Sequence, residues 1–294
     1  MLTDYHLHLR PDDVEASVTQ YHTQANADRY RLVAGERGIA ELGVSEHVYR
    51  FKQALDVWAH PLWVSFAHDD LDEYCAFVRE HTDLRLGIEA DFVPGREDRM
   101  ANLLQARAFD YVVGSVHFLR DGALDLDDEY SVWRGAGSVE GVWRSYFQTI
   151  GESARSGLFD VIAHPDLVKY WSATHPQRRP DGDLRRYYEP AVEGIAEAGV
   201  AVELSTAGLR KPVHEMYPAP AFLEMCVQAE VPVALSSDAH TPQDVGAGYD
   251  QARELLASLG VRELCVFKGR TRRLEPIDAA DDAPFAGAEE LDAL

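Results

Sequence analysis

Tyr111-Val112-Val113-Gly114-Ser115-Val116-His117 is a short apolar run that closes on a histidine, and the chain repeats this device elsewhere. Other runs end in Asp4-Tyr5-His6-Leu7-His8, Ser45-Glu46-His47, Gly87-Ile88-Glu89, Ala163-His164-Pro165-Asp166 and Ser236-Ser237-Asp238-Ala239-His240. Runs rich in Val, Ile or Leu without polar alternation read as parallel strands buried on both faces. One strand ending in a histidine or carboxylate is ordinary. Six along one chain call for a geometry in which strand ends converge.

Working outward, strands are expected over residues 3–8, 41–46, 84–90, 111–117, 160–164, 200–205 and 231–236, with 263–267 as an eighth. Helical patterns fall at 26–37, 69–80, 138–156 and 188–197, and three of them run into Gly38, Gly157 or Gly199, the usual helix stop. Repeated βα units mean an α/β fold, either an open doubly wound sheet or a closed barrel. In a doubly wound sheet only strands near the switch point carry ligand-binding residues. Here six of seven strands end in candidate ligands, which requires the ring of strand ends at a barrel mouth. The expected fold is therefore a barrel of seven or eight βα units with its site at the C-terminal ends of the strands. Residues 1–277 would form it, with 121–141 as a long loop over the mouth. Residues 278–294 carry six acids and no base and are expected to be a disordered tail.

Composition narrows the function. With 294 residues, 46% hydrophobic and 10% aromatic, the chain can bury a full core. The formal charge of −22, from 28 basic and 50 acidic residues, repels long nucleic acids and anionic membranes. No apolar run approaches the ~20 residues of a membrane span, and Met1-Leu2-Thr3 leads directly into a strand without a signal-like segment. Cys75, Cys226 and Cys265 lie far apart in apolar runs and read as small buried hydrophobes, so the cytoplasm is the expected compartment. No Gly-x-Gly-x-x-Gly fingerprint or phosphate-binding P-loop is present.

The strand-end donors are imidazoles and carboxylates without thiolates, a set suited to two or three ions of Zn, Mn or Fe acting as Lewis acids. His6 and His8, one residue apart, share a strand face and form a two-ligand clamp. Glu89 among imidazoles can bridge two cations, and Asp238 can ligate one metal while His240 ligates another or moves a proton. With His47, His117 and His164 these residues compose a multinuclear metallohydrolase site. His60, His68, His81, His175 and His214 sit in helical or loop sequence where histidines are unremarkable, and His22 is left open.

The motifs Val44-Ser45-Glu46-His47, Gly114-Ser115-Val116-His117-Phe118-Leu119, 160–169, 202–212, Leu235-Ser236-Ser237-Asp238-Ala239-His240 and Val266-Phe267-Lys268-Gly269-Arg270 together resemble the polymerase and histidinol phosphatase (PHP) superfamily. The likeness spans roughly residues 1–275 and is strongest to the histidinol-phosphate phosphatase branch, to which Ala207-Gly208-Leu209-Arg210-Lys211-Pro212 is specific. The resemblance implies a distorted seven-stranded barrel with a two- or three-metal site. It places His6, His8, Glu89 and Asp238 on a first metal, with Glu89 bridging to a second completed by His117 and His164, and it places His47 and His240 on a third. Relatives usually offer another histidine shortly after the first pair; here Arg10-Pro11-Asp12-Asp13-Val14-Glu15 stands instead, leaving Asp12, Asp13 or Glu15 as substitutes. The implied reaction is hydrolysis of a small phosphomonoester by metal-activated hydroxide. Arg10, Lys169, Arg210 and Lys211 are candidates for gripping phosphate, and Asp238 or His240 for protonating the leaving alkoxide. Glu203, Asp166 and the acidic residues of 121–128 are candidates for pairing with an aminated substrate such as L-histidinol phosphate.

Three rivals stand beside this reading. An amidohydrolase also begins with His-x-His but commonly bridges its metals with a strand-end lysine, and none of the four lysines ends strand three or four. A PHP exonuclease or nucleotide phosphatase shares the metal chemistry, though −22 disfavours polynucleotides. A non-catalytic PHP domain would be expected to have lost ligands, and all eight positions are filled.

Overall fold

Each expected strand forms, but most stop short of the histidines that follow them. A computed structural model describes residues 1–277, so the expected acidic tail at 278–294 lies outside the described residues. In chain order the strands are β1 (Leu2–Asp4), β2 (Ile39–Val44), β3 (Arg85–Asp91), β4 (Tyr111–Ser115), β5 (Phe118–Leu119), β6 (Gly122–Ala123), β7 (Val161–Ile162), β8 (Ala201–Ser205), β9 (Val233–Ser236), β10 (Glu263–Lys268) and β11 (Thr271–Pro276). The helices are α1 (Val18–Tyr21), α2 (Gln24–Glu36), α3 (Pro61–Phe66), α4 (Leu71–His81), α5 (Glu97–Gln105), α6 (Val139–Arg155), α7 (Arg185–Ala198), α8 (Pro220–Gln228) and α9 (Tyr249–Ser258).

Seven strands make one sheet in the order β1-β2-β3-β4-β7-β8-β9, parallel at every pairing. The two ends meet through a single parallel bridge between Leu7 and Ala239, with His8 N–H donating to the Ala239 carbonyl at 2.7 Å and Ser237 N–H to Asp4 Oδ1 at 3.0 Å. The sheet is thus a nearly closed barrel. That bridge keeps the chain extended beyond β1, so His6 and His8 share one side although the strand itself ends at Asp4.

The expected eighth strand is not part of the ring. Residues 263–268 pair antiparallel with β11, and this hairpin caps the end from which the strands start. Phe267 packs on Tyr5 and Tyr111 (ring centroids 5.5 and 6.0 Å), Arg270 N–H binds the Asp110 carbonyl, and the Arg270 and Arg272 side chains bind the carbonyls of Leu158 and Gly199. The hairpin stands there because the barrel interior is filled from below by aromatic rings. A methyl group at Gly43 or Gly87 would overlap the Tyr111 ring, so both strands carry glycine where that ring lies.

The helix signals behave as physical punctuation. Ser138 accepts from Gly141 N–H at 3.0 Å and Asp70 from the N–H groups of Asp72 and Glu73, capping α6 and α4. Gly38, Gly157 and Gly199 take left-handed φ of 67°, 72° and 66° after their helices. The short helices α1, α3, α5, α8 and α9 were not expected. In α5 the buried Met100, Leu103 and Leu104 nonetheless follow helical spacing. The three cysteines are free and buried.

Candidate metal centre

Glu89, near the end of β3, is the hub of the barrel mouth. Its Oε2 lies 3.2 Å from His6 Nε2, 3.5 Å from His8 Nε2 and 2.5 Å from His47 Nδ1. Its Oε1 accepts from Ser115 Oγ at 2.6 Å and lies 3.1 Å from His164 Nε2 and 3.5 Å from His117 Nε2. Asp238 Oδ1 stands 3.4 Å from His8 Nε2, 3.8 Å from His6 Nε2 and 3.7 Å from His240 Nδ1. The His8 ring is stacked between those of His47 and His240, at centroid distances of 4.2 and 4.3 Å. All eight strand-end residues expected as ligands therefore converge. Their donor atoms form three tight groups, His6/His8/Asp238, His6/Glu89/His164 and His8/His47/His240. His8 thus sits with His47 and His240 as well as with the first group. His117 is in none of the three, and its Nε2 faces Glu89 at 3.5 Å.

The fit to metal ions rests on these atoms. His6 Nε2, His8 Nε2, His47 Nδ1, Glu89 Oε2, Asp238 Oδ1 and His240 Nε2 are buried and make no hydrogen bond, although they crowd within a few ångströms. Each unsatisfied buried polar group costs ~1–3 kcal/mol. Lone pairs converging without intervening protons are what divalent cations satisfy. Charge agrees with geometry. Burial would raise the Glu89 carboxyl, but His47, His6 and His117 hold it well below the carboxylate range. Asp238 is likewise held low, against burial, by His6, His8 and His240. Burial between two other imidazoles pushes His8 down to about 3, which keeps it neutral and able to ligate.

Behind the hub lies a ring of acceptors that orients it. Glu203 Oε1 binds His6 Nδ1 at 2.7 Å and Ser236 Oγ at 2.6 Å, while Oε2 accepts His164 N–H at 2.6 Å. Asp91 Oδ1 binds His117 Nδ1 at 2.7 Å and, against the effect of burial, lifts that imidazole to about 10. Such partners fix which ring nitrogen faces a metal. Glu46 accepts from Leu9 N–H, Arg10 Nε and His22 Nε2, and its Oε2 lies 4.0 Å from His8 Nδ1. His22 thus stands behind His8, outside the three donor groups. Two residues with positive φ, His164 at 26° and Asp238 at 48°, mark where the backbone turns to present its donors.

Five residues expected at the substrate are engaged elsewhere. Arg10 is buried against Glu46 and Asp69, away from the cavity, because its guanidinium neutralises two carboxylates under the mouth. Lys169 spends its ammonium on Asp166 (2.9 Å), Glu215 (3.0 Å) and the Met216 carbonyl (2.7 Å). Arg210 braces the turn carrying Asp238, donating to the Ser237 carbonyl at 2.7 Å and pairing with Asp244. Glu203 and Asp166 are buried and committed to His6, His164, Ser236, Lys169 and Ala219, so neither meets a substrate ammonium. Lys211 alone of the four expected cations lines the cavity, and its ammonium makes no ion pair or hydrogen bond among the described residues. His60, expected to be unremarkable, is a buried cap whose Nδ1 accepts from Leu62 N–H.

The cavity above the hub is lined by His47, His117, His164, Asp238 and His240 on its polar side. Leu62, Trp63, Phe66, Phe118 and Leu126 form its apolar side. The segment 121–141 contributes Ala123, Asp125 and Leu126, as expected of a loop over the mouth. Asp12 also lines the cavity, bound to Arg50 Nη2 (2.8 Å) and Tyr49 OH (3.1 Å), whereas Asp13 and Glu15 are exposed on the outer side. Asp91 was missed by sequence reasoning, whereas Asp125 belongs to the acidic stretch 121–128 expected to face an aminated substrate. Asp91 had a signal, since it lies two residues after Glu89 on the same strand face.

Comparison with known proteins agrees with this architecture. The PHP domain family model matches residues 6–207. A Deinococcus radiodurans protein named "Probable histidinol-phosphatase" is 32% identical over 263 residues, covering 87% of this chain and 94% of the relative. The Bacillus subtilis protein named "Histidinol-phosphatase" is 28% identical over 185 residues, covering 58% of this chain and 69% of the relative. The crystal structure of histidinol phosphate phosphatase from Lactococcus lactis, complexed with Zn, L-histidinol and phosphate, has the same fold. Its TM-score is 0.66 at 17% identity, covering 92% of this chain and 98% of that one. With the family model matched across most of the barrel and a relative aligned along nearly its whole length, the chain belongs to the PHP domain family.

Proposed function

We propose that this chain is a cytoplasmic, metal-dependent phosphomonoesterase of histidine biosynthesis, hydrolysing L-histidinol phosphate to L-histidinol and phosphate. The observation that carries the reading is the Glu89 hub, whose two oxygens face five imidazoles at the floor of a cavity lined by Lys211, whose ammonium has no ion pair among the described residues. His6, His8 and Asp238 would hold one ion, and Glu89 would bridge to a second held with His117 and His164. His47 and His240 would hold a third, with Asp12 the nearest remaining oxygen donor on the cavity wall. The donor set suits Zn, Mn or Fe. Such ions supply Lewis acidity that ionises water near neutral pH and neutralises charge on phosphoryl oxygens.

The chain's own residues do the rest. Lys211 offers a point charge to a phosphate oxygen. Trp63, Phe66 and Phe118 exclude water from the ester. As the water oxygen bonds to phosphorus and the ester P–O bond breaks, the departing alkoxide takes a proton. Asp238, ionised, and His240, 3.7 Å from it on the cavity wall, would take the proton that the attacking water gives up and pass it to the alkoxide.

The test is phosphate release by metal-analysed protein from L-histidinol phosphate and a panel of nucleotides and other phosphomonoesters. A kcat/KM of ~10⁴ M⁻¹s⁻¹ or more for histidinol phosphate, far ahead of the panel, is the expected result. Comparable weak rates throughout would remove the named substrate, and no turnover at full metal content would remove the phosphatase reading.

A further inference from the structure

Three carboxylates line the cavity, and two of them are committed. Asp238 belongs to the metal centre, and Asp12 is bound by Arg50 and Tyr49. Asp125 is different. Among the described residues its carboxylate forms no ion pair and accepts no hydrogen bond from another residue, the charges of His117 and Lys211 reaching it only from beyond contact, yet its position is firmly set. The preceding Leu124 is fully buried and donates its N–H to the His117 carbonyl at 3.0 Å, and Ala123 N–H binds the Tyr130 carbonyl at 2.8 Å. A carboxylate presented to a partly desolvated, aromatic-walled cavity without a partner is costly unless a ligand supplies one. Cations are also stabilised over the faces of aromatic rings such as those of Trp63 and Phe66.

We propose that Asp125 is the specificity-determining residue of this cavity, binding the positively charged end of a small phosphomonoester whose phosphate lies at the Glu89 centre and Lys211. The inference rests on the phosphomonoesterase reading and adds to it a preference for cationic esters. It needs no second anionic site, because Lys211 and the metal ligands serve one end of the substrate and Asp125 the other.

The experiment compares the metal-loaded wild type with Asp125→Asn and Asp125→Glu on an isosteric pair, 2-aminoethyl phosphate and propyl phosphate, and measures binding of L-histidinol and of inorganic phosphate by calorimetry. The wild type should prefer the amino ester. Asp125→Asn should lose roughly 10–100-fold of that preference, the range for losing a hydrogen bond to a charged group. It should weaken L-histidinol binding similarly, and it should leave propyl phosphate turnover, phosphate binding and metal content within twofold. Asp125→Glu, which keeps the charge, should retain part of the preference. Equal losses on both esters, a lost metal ion, or unchanged L-histidinol binding would overturn the assignment. A wild type that prefers the amino ester but does not hydrolyse L-histidinol phosphate would discard the named substrate and leave Asp125 in its role. Hydrolysis of histidinol phosphate with an Asp125→Asn variant that keeps the wild-type ester ratio would discard Asp125 alone.

Discussion

Replacing Glu203 by glutamine tests whether the acceptors behind the hub orient the metal ligands. The carboxylate accepts three hydrogen bonds, from His6 Nδ1 and Ser236 Oγ on one oxygen and from His164 N–H on the other. An amide of the same size has one oxygen only. If that oxygen faces His6 and Ser236, the NH₂ group meets the His164 N–H, donor against donor. If the amide is reversed, the NH₂ group forces His6 to move its proton to Nε2, the nitrogen 3.2 Å from Glu89 that would otherwise ligate. Either arrangement leaves a buried donor unsatisfied, at ~1–3 kcal/mol. A 10–100-fold loss of metal affinity, usual for removing such a partner, corresponds to ~1.4–2.7 kcal/mol, so the two routes agree. The assay is zinc affinity by competition with a chromophoric chelator, with metal content and kcat/KM measured on the same preparation. The expected outcome is a 10–100-fold weaker zinc affinity in a folded protein. Affinity and stoichiometry within twofold of wild type would refute the orienting role.

Other perturbations probe other parts of the structure. Removing metal with a chelator should lower Tm, because the buried donor atoms of His6, His8, His47, Glu89, Asp238 and His240 then lose the ion that satisfies them, and adding Zn²⁺ at 100-fold over its Kd should restore ~2.7 kcal/mol; calorimetry showing no metal-dependent shift would contradict the centre. Lys211→Met should raise KM for a phosphomonoester ~10-fold or more with little change in Tm. Lys169→Met should instead destabilise the fold by ~3–5 kcal/mol by stranding buried Asp166, a contrast read from steady-state kinetics and thermal melts together. At the opposite end of the barrel, burial would raise the Glu41 carboxyl, but hydrogen bonds from Arg85 and Tyr5 to its ionised form keep it below its ordinary value. A depressed carboxyl stabilises the fold above its unfolded pKa and loses that contribution as pH falls through its folded pKa. Glu41→Gln should therefore lower Tm by ~2 °C at pH 7, with the difference fading below about pH 4.

The order of the barrel strands, the four long helices and the convergence of the candidate donors were legible in the chain itself. Buried parallel strands must be apolar, and a polar residue at each of their ends has no local reason to be there, so six such ends announce convergence without any coordinates. Helix stops were legible for the same kind of reason, since Gly38, Gly157 and Gly199 take a left-handed conformation that other residues resist. The destination of long charged side chains was not legible. Arg10, Lys169, Arg210 and Lys211 look alike as candidates for phosphate, because a flexible side chain can reach several partners and its neighbours in sequence do not say which carboxylate lies within reach in space. Only the folded barrel brings Glu46 and Asp69 to Arg10 and Asp166 and Glu215 to Lys169, which leaves Lys211 free at the cavity. The same holds for residues 263–268, whose apolar pattern suits a barrel strand as well as a cap. What decided between them was that Leu7 and Ala239 had already joined the two ends of the seven-stranded ring.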